Sequence, residues 1–306
     1  MKRDYLTVDD LSSEELTGLL DLSEKVKAHP GDHAVALRGR SVALIFEKPS
    51  TRTRVSFEIA VASTGGHPVT LSSTELQLGR GETIEDTGRV LSRYVDAIVL
   101  RTFEQERLEV LAGAASVPVI NALSDFEHPC QCLADLLTVR EIKGELAGRT
   151  LTYLGDGNNV THSLLLGGAK CGMHVRVATP PGFGPIPQIV QRATEIAERT
   201  RGSVVITHDA SEACAGADVL YTDVWASMGQ EAEAAERALV FPSYALDAEK
   251  VSFARPDVTV LHCLPAHRGQ EITAEVIDGP RSAVWDQAEN RMHTQKALLL
   301  WLLGAA

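Results

Sequence analysis

The chain has 306 residues, 44% of them hydrophobic and 23% charged, and a formal net charge of −12 at pH 7. That length accommodates two ordinary domains, each with its own core, and the composition is that of a soluble globular protein. The acidic balance argues against a nucleic-acid or anionic-membrane partner, and no apolar run is long enough to span a bilayer. Apolar runs rich in β-formers then predict strands in chain order at 42–46, 97–100, 117–121, 150–154, 174–178, 204–207, 219–221 and 258–261. Helical patterns lie between most of them, for example at 108–115, 131–143, 160–171 and 187–199, and an apolar helix at 287–303 closes the chain.

This alternation predicts an α/β fold of two doubly wound parallel-sheet domains, with helices on both faces and the active site in the cleft between them. A polar, Gly-punctuated passage from Arg140 to Thr150 marks the boundary. The first domain is expected over 1–139, with the C-terminal segment 287–306 packing back on it, and the second over 140–286. Five scattered cysteines, Cys130, Cys132, Cys171, Cys214 and Cys263, argue against a disulfide framework and for a reducing cytoplasm. Cys130 and Cys132 are too close for the usual zinc pair, so neither a metal nor a cofactor is expected. The first residues lack the apolar stretch of a secretory leader.

Ligands of open α/β sheets bind beyond the carboxyl ends of the strands, so the residues there carry the functional argument. After the first strand comes "FEKPSTRTRVSFE", from Phe46 to Glu58. Pro49 stops the strand, Ser50 or Thr51 can cap the next helix, and Val55, Ile59 and Ala62 recur at helical spacing. Free N–H groups and the positive end of the helix dipole favour an anion at such a junction, and Arg52 and Arg54 add forked donors. Arg101 ends the second strand, and His128 and Gln131 share a face of the helix that opens after the third. Ser, Thr, Arg, His and Gln at one sheet edge suit a small, oxygen-rich anion such as an acyl phosphate.

The second half repeats the arrangement with different chemistry. Asn158 and Asn159 follow one strand, Asp223, Ser227 and Met228 another, and Cys263 a third. An aspartate, amides and a hydroxyl suit an amino acid, with Asp for its ammonium and amides for its carboxylate. Singly, each residue also fits a structural role: His128 at a helix end, Cys263 as a small buried hydrophobe, Asp223 and Asn158-Asn159 as turn or cap residues, Met228 as core. Gly155-x-Gly157 invites a dinucleotide, but Val160 stands at the third glycine position and the next strand lacks a ribose-binding acid.

Taken together, Ser50-Thr51-Arg52-Thr53-Arg54, His128-Pro129-Cys130-Gln131, Asp223 with Ser227-Met228-Gly229, and His262-Cys263-Leu264-Pro265 resemble the aspartate/ornithine carbamoyltransferase family along essentially the whole chain. The last two motifs point to the ornithine branch. The resemblance implies transfer of a carbamoyl group from carbamoyl phosphate to the δ-amine of L-ornithine, a reaction of arginine metabolism that yields citrulline. It assigns Ser50, Thr51, Arg52 and Thr53 to the phosphate. Arg101, His128 and Thr53 go to the carbonyl oxygen, and Gln131 to the carbamoyl nitrogen. Arg291 reaches the same substrate, to which Cys263 and Leu264 also belong. Asn159, Asp223, Ser227 and Met228 are assigned to the α-amino and α-carboxylate groups of ornithine, and Cys263 lies beside its reacting amine. Arg101, His128 and Cys263 are the implied catalytic residues. A thiolate at Cys263 would be favoured by Arg268 or His267 nearby. Gln77 is placed on a loop meeting a neighbouring subunit's site, in a homo-oligomer expected to be a trimer. Two ligands on two domains imply closure over both. An intact Asp223 and Ser-Met-Gly segment favour a free α-amino acid over putrescine or an N-acylated ornithine.

Overall fold

Parallel strands covered on both faces are apolar along most of their length, and most of the runs that predicted strands are of this kind. The structure is a computed structural model that describes residues 2–72, 81–226 and 233–306. The chain divides into two units, Met1–Leu137 with Glu289–Ala306, and Thr138–Ala288.

The first unit begins with α1 (Ser13–Ala28), capped by Ser12, whose side chain accepts from the Glu15 N–H. There follow β1 (Ser41–Phe46), α2 (Thr51–Ala62), β2 (His67–Ser72), α3 (Ile84–Leu91), β3 (Ala97–Arg101), α4 (Gln105–Ala114), β4 (Val119–Leu123) and α5 (Pro129–Lys143). The strands form one parallel sheet in the order β2-β1-β3-β4. Its winding reverses between β1 and β3, where Phe46 lies opposite Arg101. Ala43, Ile45, Ile98, Leu100 and Val119 pack with Leu108 and Leu111 of α4 into a buried core.

The second unit contains β5 (Thr150–Leu154), α6 (Asn159–Lys170), β6 (His174–Ala178), α7 (Pro187–Thr200), β7 (Ser203–Thr207), α8 (Ala210–Cys214), β8 (Val219–Thr222), α9 (Ala234–Val240), α10 (Ala248–Phe253), β9 (Thr259–His262) and α11 (Ala274–Ile277). The order β7-β6-β5-β8-β9 is again all parallel, with the reversal between β5 and β8. The last helix, α12 (Val284–Leu302), crosses the unit boundary. Its later part belongs to the first unit. Lys27 Nζ donates to Asn290 Oδ1 at 2.8 Å, and the Arg3 guanidinium lies 4.5 Å from the centre of the Trp301 ring. Leu298, Leu299 and Leu300 are fully buried.

The fold is thus α/β with two parallel sheets and helices on both faces, and all the predicted strands are present. One strand was not anticipated. β2 reads "HPVTLS", without a continuous apolar run, because it is an edge strand, the place where a proline such as Pro68 is tolerated. Among the described residues no helix is long and apolar enough to cross a membrane.

Candidate functional site

In the first unit the polar residues gather at the reversal between β1 and β3. Ser50 takes the N-cap position of α2 with extended backbone, but its hydroxyl makes no capping bond. The first turn, Thr51-Arg52-Thr53-Arg54, carries no acidic residue of its own to complement its dipole. Thr51 and Arg52 are exposed while Thr53 is buried, and Arg54 pairs outward with Glu58 at 3.0 Å. Arg291, buried in α12, donates from Nη2 to Thr53 Oγ1 at 2.7 Å, which leaves the Thr53 hydroxyl hydrogen free to point elsewhere.

Arg101, at the carboxyl end of β3, is buried, as are His128 and Gln131. The proton affinity of His128 is held well below the ordinary histidine range, by burial first and then by the Arg291, Arg101 and Arg52 guanidinium groups. The imidazole is therefore neutral at pH 7, its charged form opposed by three arginines from distant parts of the chain. Gln131 donates from Nε2 to Asp135 Oδ1 at 2.8 Å, while its buried Oε1 has no hydrogen-bond partner among the described residues.

Two ion pairs brace this edge. Glu47 accepts from Thr102 and, through both oxygens, from Arg107, tying the end of β1 to the start of α4. Lys48, almost fully buried, pairs with Asp125 and lies 4.1 Å from the centre of the Phe103 ring, tying the α2 approach to the loop before His128.

In the second unit the neighbouring strands β5, β8 and β9 end together: Leu154 pairs with Thr222, and Thr222 with His262. The turn after β5 needs glycine at 157, because a Cβ there would lie 2.2 Å from the Pro185 nitrogen. This close approach explains the Gly-x-Gly spacing without any nucleotide. Asn158 caps α6, accepting from the Val160 and Thr161 N–H groups, and its Nδ2 donates to Asp223 Oδ2 at 2.8 Å. Asn159, one residue on, opens the helix and is half-buried. The other oxygen of Asp223 accepts from Cys263 Sγ at 2.9 Å and from the Val224 N–H at 2.8 Å.

The turn carrying Cys263 is held by His262. Its Nδ1 accepts from the Leu264 N–H at 2.9 Å and its Nε2 lies 3.2 Å from Glu271 Oε1, so the proton sits on Nε2. Leu264 is left-handed at φ +59, an unfavourable backbone that this bond stabilises. Gln287 Oε1 receives the His262 N–H at 2.9 Å, and its Nε2 donates to the Tyr221 hydroxyl at 3.0 Å. Arg268 and His267 each have acidic partners: Arg268 is bidentate to Asp278, and His267 Nδ1 lies 3.6 Å from Glu271. Asp223, His262 and Cys263 bring one ligand atom each within 4.8 Å of one another, but both His262 nitrogens are engaged in hydrogen bonds.

Residues 3–141 match the domain described as "Aspartate/ornithine carbamoyltransferase, carbamoyl-P binding domain", and residues 147–302 the one described as "Aspartate/ornithine carbamoyltransferase, Asp/Orn binding domain". The chain belongs to the aspartate/ornithine carbamoyltransferase family. Among curated proteins it is 64% identical over 304 residues to an ornithine carbamoyltransferase of Parafrankia sp., covering 98% of this chain and 96% of that one. The corresponding protein of Acidothermus cellulolyticus is 57% identical, with 100% and 98% covered. Among solved structures, the ornithine carbamoyltransferase of Pyrococcus furiosus superposes with a TM-score of 0.96 at 51% identity, covering 99% of this chain and 97% of that chain. The Thermus thermophilus structure gives 0.90 at 44%, with 99% of each covered.

Within this carbamoyltransferase chain, Ser50, Thr51, Arg52, Thr53, Arg101, His128, Gln131 and Arg291 lie in the first unit, and Asn159, Asp223, Cys263 and Leu264 in the second. Gln77, Ser227 and Met228 lie outside the described residues. Sequence reasoning passed over the bracing residues Glu47, Lys48 and Glu271. Lys48 and Glu47 stand inside the motif that was quoted, but their partners are far along the chain and leave no local pattern.

Proposed function

We propose that this chain transfers the carbamoyl group of carbamoyl phosphate to the δ-amine of L-ornithine, releasing citrulline and phosphate. The observations that carry the reading are the Arg291–Thr53 hydrogen bond at the uncapped start of α2 and a buried His128 whose proton affinity Arg291, Arg101 and Arg52 all depress. A dianionic phosphate matches the helix end and the arginines. A carbonyl oxygen matches neutral and cationic donors, and the unpartnered Gln131 Oε1 matches a carbamoyl NH₂.

The neutral δ-amine attacks the carbonyl carbon, and the π electrons move to oxygen, where Arg101, His128 and the free Thr53 hydroxyl hydrogen meet the developing charge. The C–O bond to phosphate then breaks. Phosphate leaves with the electron pair, held by Ser50, Thr51, Arg52, Thr53 and Arg291, and takes up the amine proton. Asp223 meets the α-ammonium of ornithine, with Asn159, Ser227 and Met228 completing that subsite. Cys263 acts by position: its sulfur lies 2.9 Å from Asp223 Oδ1, which supports a positioning role rather than that of an acyl acceptor. The Leu264 backbone contacts the carbamoyl group. The left-handed turn through Leu264 and the His262–Glu271 pair hold this element in place. Burial of a partly polar site strengthens each of these contacts relative to water.

The reading extends to a homotrimer in a reducing cytoplasm, with Gln77 serving a neighbouring subunit. None of the five cysteines is in a disulfide, which supports that compartment. The test is citrulline formation from carbamoyl phosphate and L-ornithine, with aspartate, putrescine and N-acetylornithine in parallel. Turnover with ornithine is expected. Turnover with a different acceptor alone overturns the ornithine assignment and keeps the acyl-phosphate site. Sedimentation equilibrium tests the trimer.

A further inference from the structure

We propose that the N-terminal arm, residues 4–8, is a positioning element for His128, and that the buried carboxylate of Glu127 is the group through which it acts. The inference rests on the reading of His128 as a donor to the carbamoyl oxygen.

The arm runs along the outer edge of β4. Tyr5 N–H donates to the Val119 carbonyl at 2.9 Å, and the Asn121 N–H to the Tyr5 carbonyl at 2.8 Å. Asp4 Oδ1 accepts from the Val119 N–H, and the Asn121 side-chain amide donates to the Leu6 carbonyl, both at 2.8 Å. The arm then reaches past the strand. The Val8 N–H donates to Glu127 Oε2 at 2.9 Å, and the Tyr5 hydroxyl donates to the Pro129 carbonyl at 3.3 Å. The two contacts bracket His128, one on the residue before it and one on the residue after. Tyr5, Val8 and Glu127 are all fully buried. Asp10 Oδ2 accepts from the Leu6 and Thr7 N–H groups, which sets the bend that aims the Val8 N–H.

A carboxylate taken out of water must be satisfied by donors, and a backbone N–H on a buried segment is a fixed one. Glu127 is thus bound to a part of the chain about 120 residues away. Its main chain is also held locally, by the Ser124 hydroxyl. Rotation of this loop would move the imidazole against the arginines, and a misplacement of about 1 Å costs roughly a hundredfold in rate.

The decisive variant is Val8→Pro, which deletes the donated N–H. Val8 is the first residue of a short 3₁₀ turn, and Thr7 before it is extended (φ −137, ψ 160), so the backbone accepts proline there. Val8→Ala controls for the lost side chain. Steady-state kinetics on the full-length protein, with folding checked by circular dichroism, are expected to show kcat/KM for carbamoyl phosphate lowered roughly tenfold to a hundredfold in Val8→Pro. The KM for ornithine should stay within about twofold. Val8→Ala should be close to wild type, and Glu127→Gln, which keeps an acceptor oxygen, closer to wild type than Glu127→Ala. Unchanged carbamoyl phosphate kinetics in folded Val8→Pro, or an equal loss in Val8→Ala, overturns the proposal. If Val8→Pro does not fold, the Glu127 pair decides: equal effects of Gln and Ala overturn it, and rescue by Gln supports it. Full activity in His128→Ala would sink the reading of His128 itself, separately from the arm.

Discussion

Cys263 Sγ donates to Asp223 Oδ1 at 2.9 Å, and Asp223 is joined from its other oxygen by Asn158 at 2.8 Å. At that separation a thiolate and a carboxylate would repel, so the contact holds Cys263 in position rather than activating it as a nucleophile. Mass spectrometry after rapid quench with carbamoyl phosphate alone should find no carbamoyl adduct on Cys263. Asp223→Asn should raise the KM for ornithine about tenfold or more, the loss of a charged hydrogen bond, with little change in the KM for carbamoyl phosphate. An adduct at Cys263, or equal changes in both KM values, would contradict these roles.

His128 supplies a hydrogen bond to charge that develops during the reaction. His128→Ala should lower kcat by about a hundredfold or more. His128→Asn, with a neutral donor of similar size, should recover part of it. Stopped assays of citrulline at saturating substrates measure both. A kcat for His128→Ala within a factor of about two of wild type would exclude the assignment.

The depressed proton affinity of His128 also has a pH signature. Below pH 6.5 the unfolded histidine takes up a proton that the folded one refuses, because burial and the three guanidinium groups oppose it. The unfolded state then binds more protons, so stability falls as pH drops from 6.5 toward the folded value, by at most about 1.4 kcal/mol per pH unit from this group. Above 6.5 the contribution is complete. Urea unfolding between pH 5 and 8 should show a shallower slope in His128→Asn than in wild type. Identical slopes would mean that His128 titrates normally.

Arg237 is nearly buried and donates at 2.7 Å both to Asp156 Oδ2, in the turn after β5, and to the Trp225 carbonyl. Its guanidinium also lies 5.1 Å from the centre of the Phe183 ring. Arg237→Met removes one partner and strands the other charge, which should destabilise the protein by about 3–5 kcal/mol. Adding Asp156→Asn should restore part of that loss. A double variant no more stable than Arg237→Met would show that the pair is not what holds this turn.

The sequence by itself determined which segments are strands and which residues stand at their ends. A parallel strand buried on both faces must be an unbroken apolar run, and the ligand-binding residues follow such runs directly. Ser50 to Thr53, Arg101, His128 and Asp223 were legible for that reason. The edge strand β2 was not, because one side of it faces no partner strand and its pattern relaxes. What only the tertiary structure decided is how these residues are paired and charged. Thr53 meets Arg291 across 238 positions, Lys48 meets Asp125 across 77, and Cys263 meets Asp223 across 40. A histidine in a sequence has its ordinary proton affinity; His128 is neutral because the fold removes water from it and brings three arginines to its side. Desolvation and Coulomb interactions depend on distances through space, and no local pattern of residues encodes them.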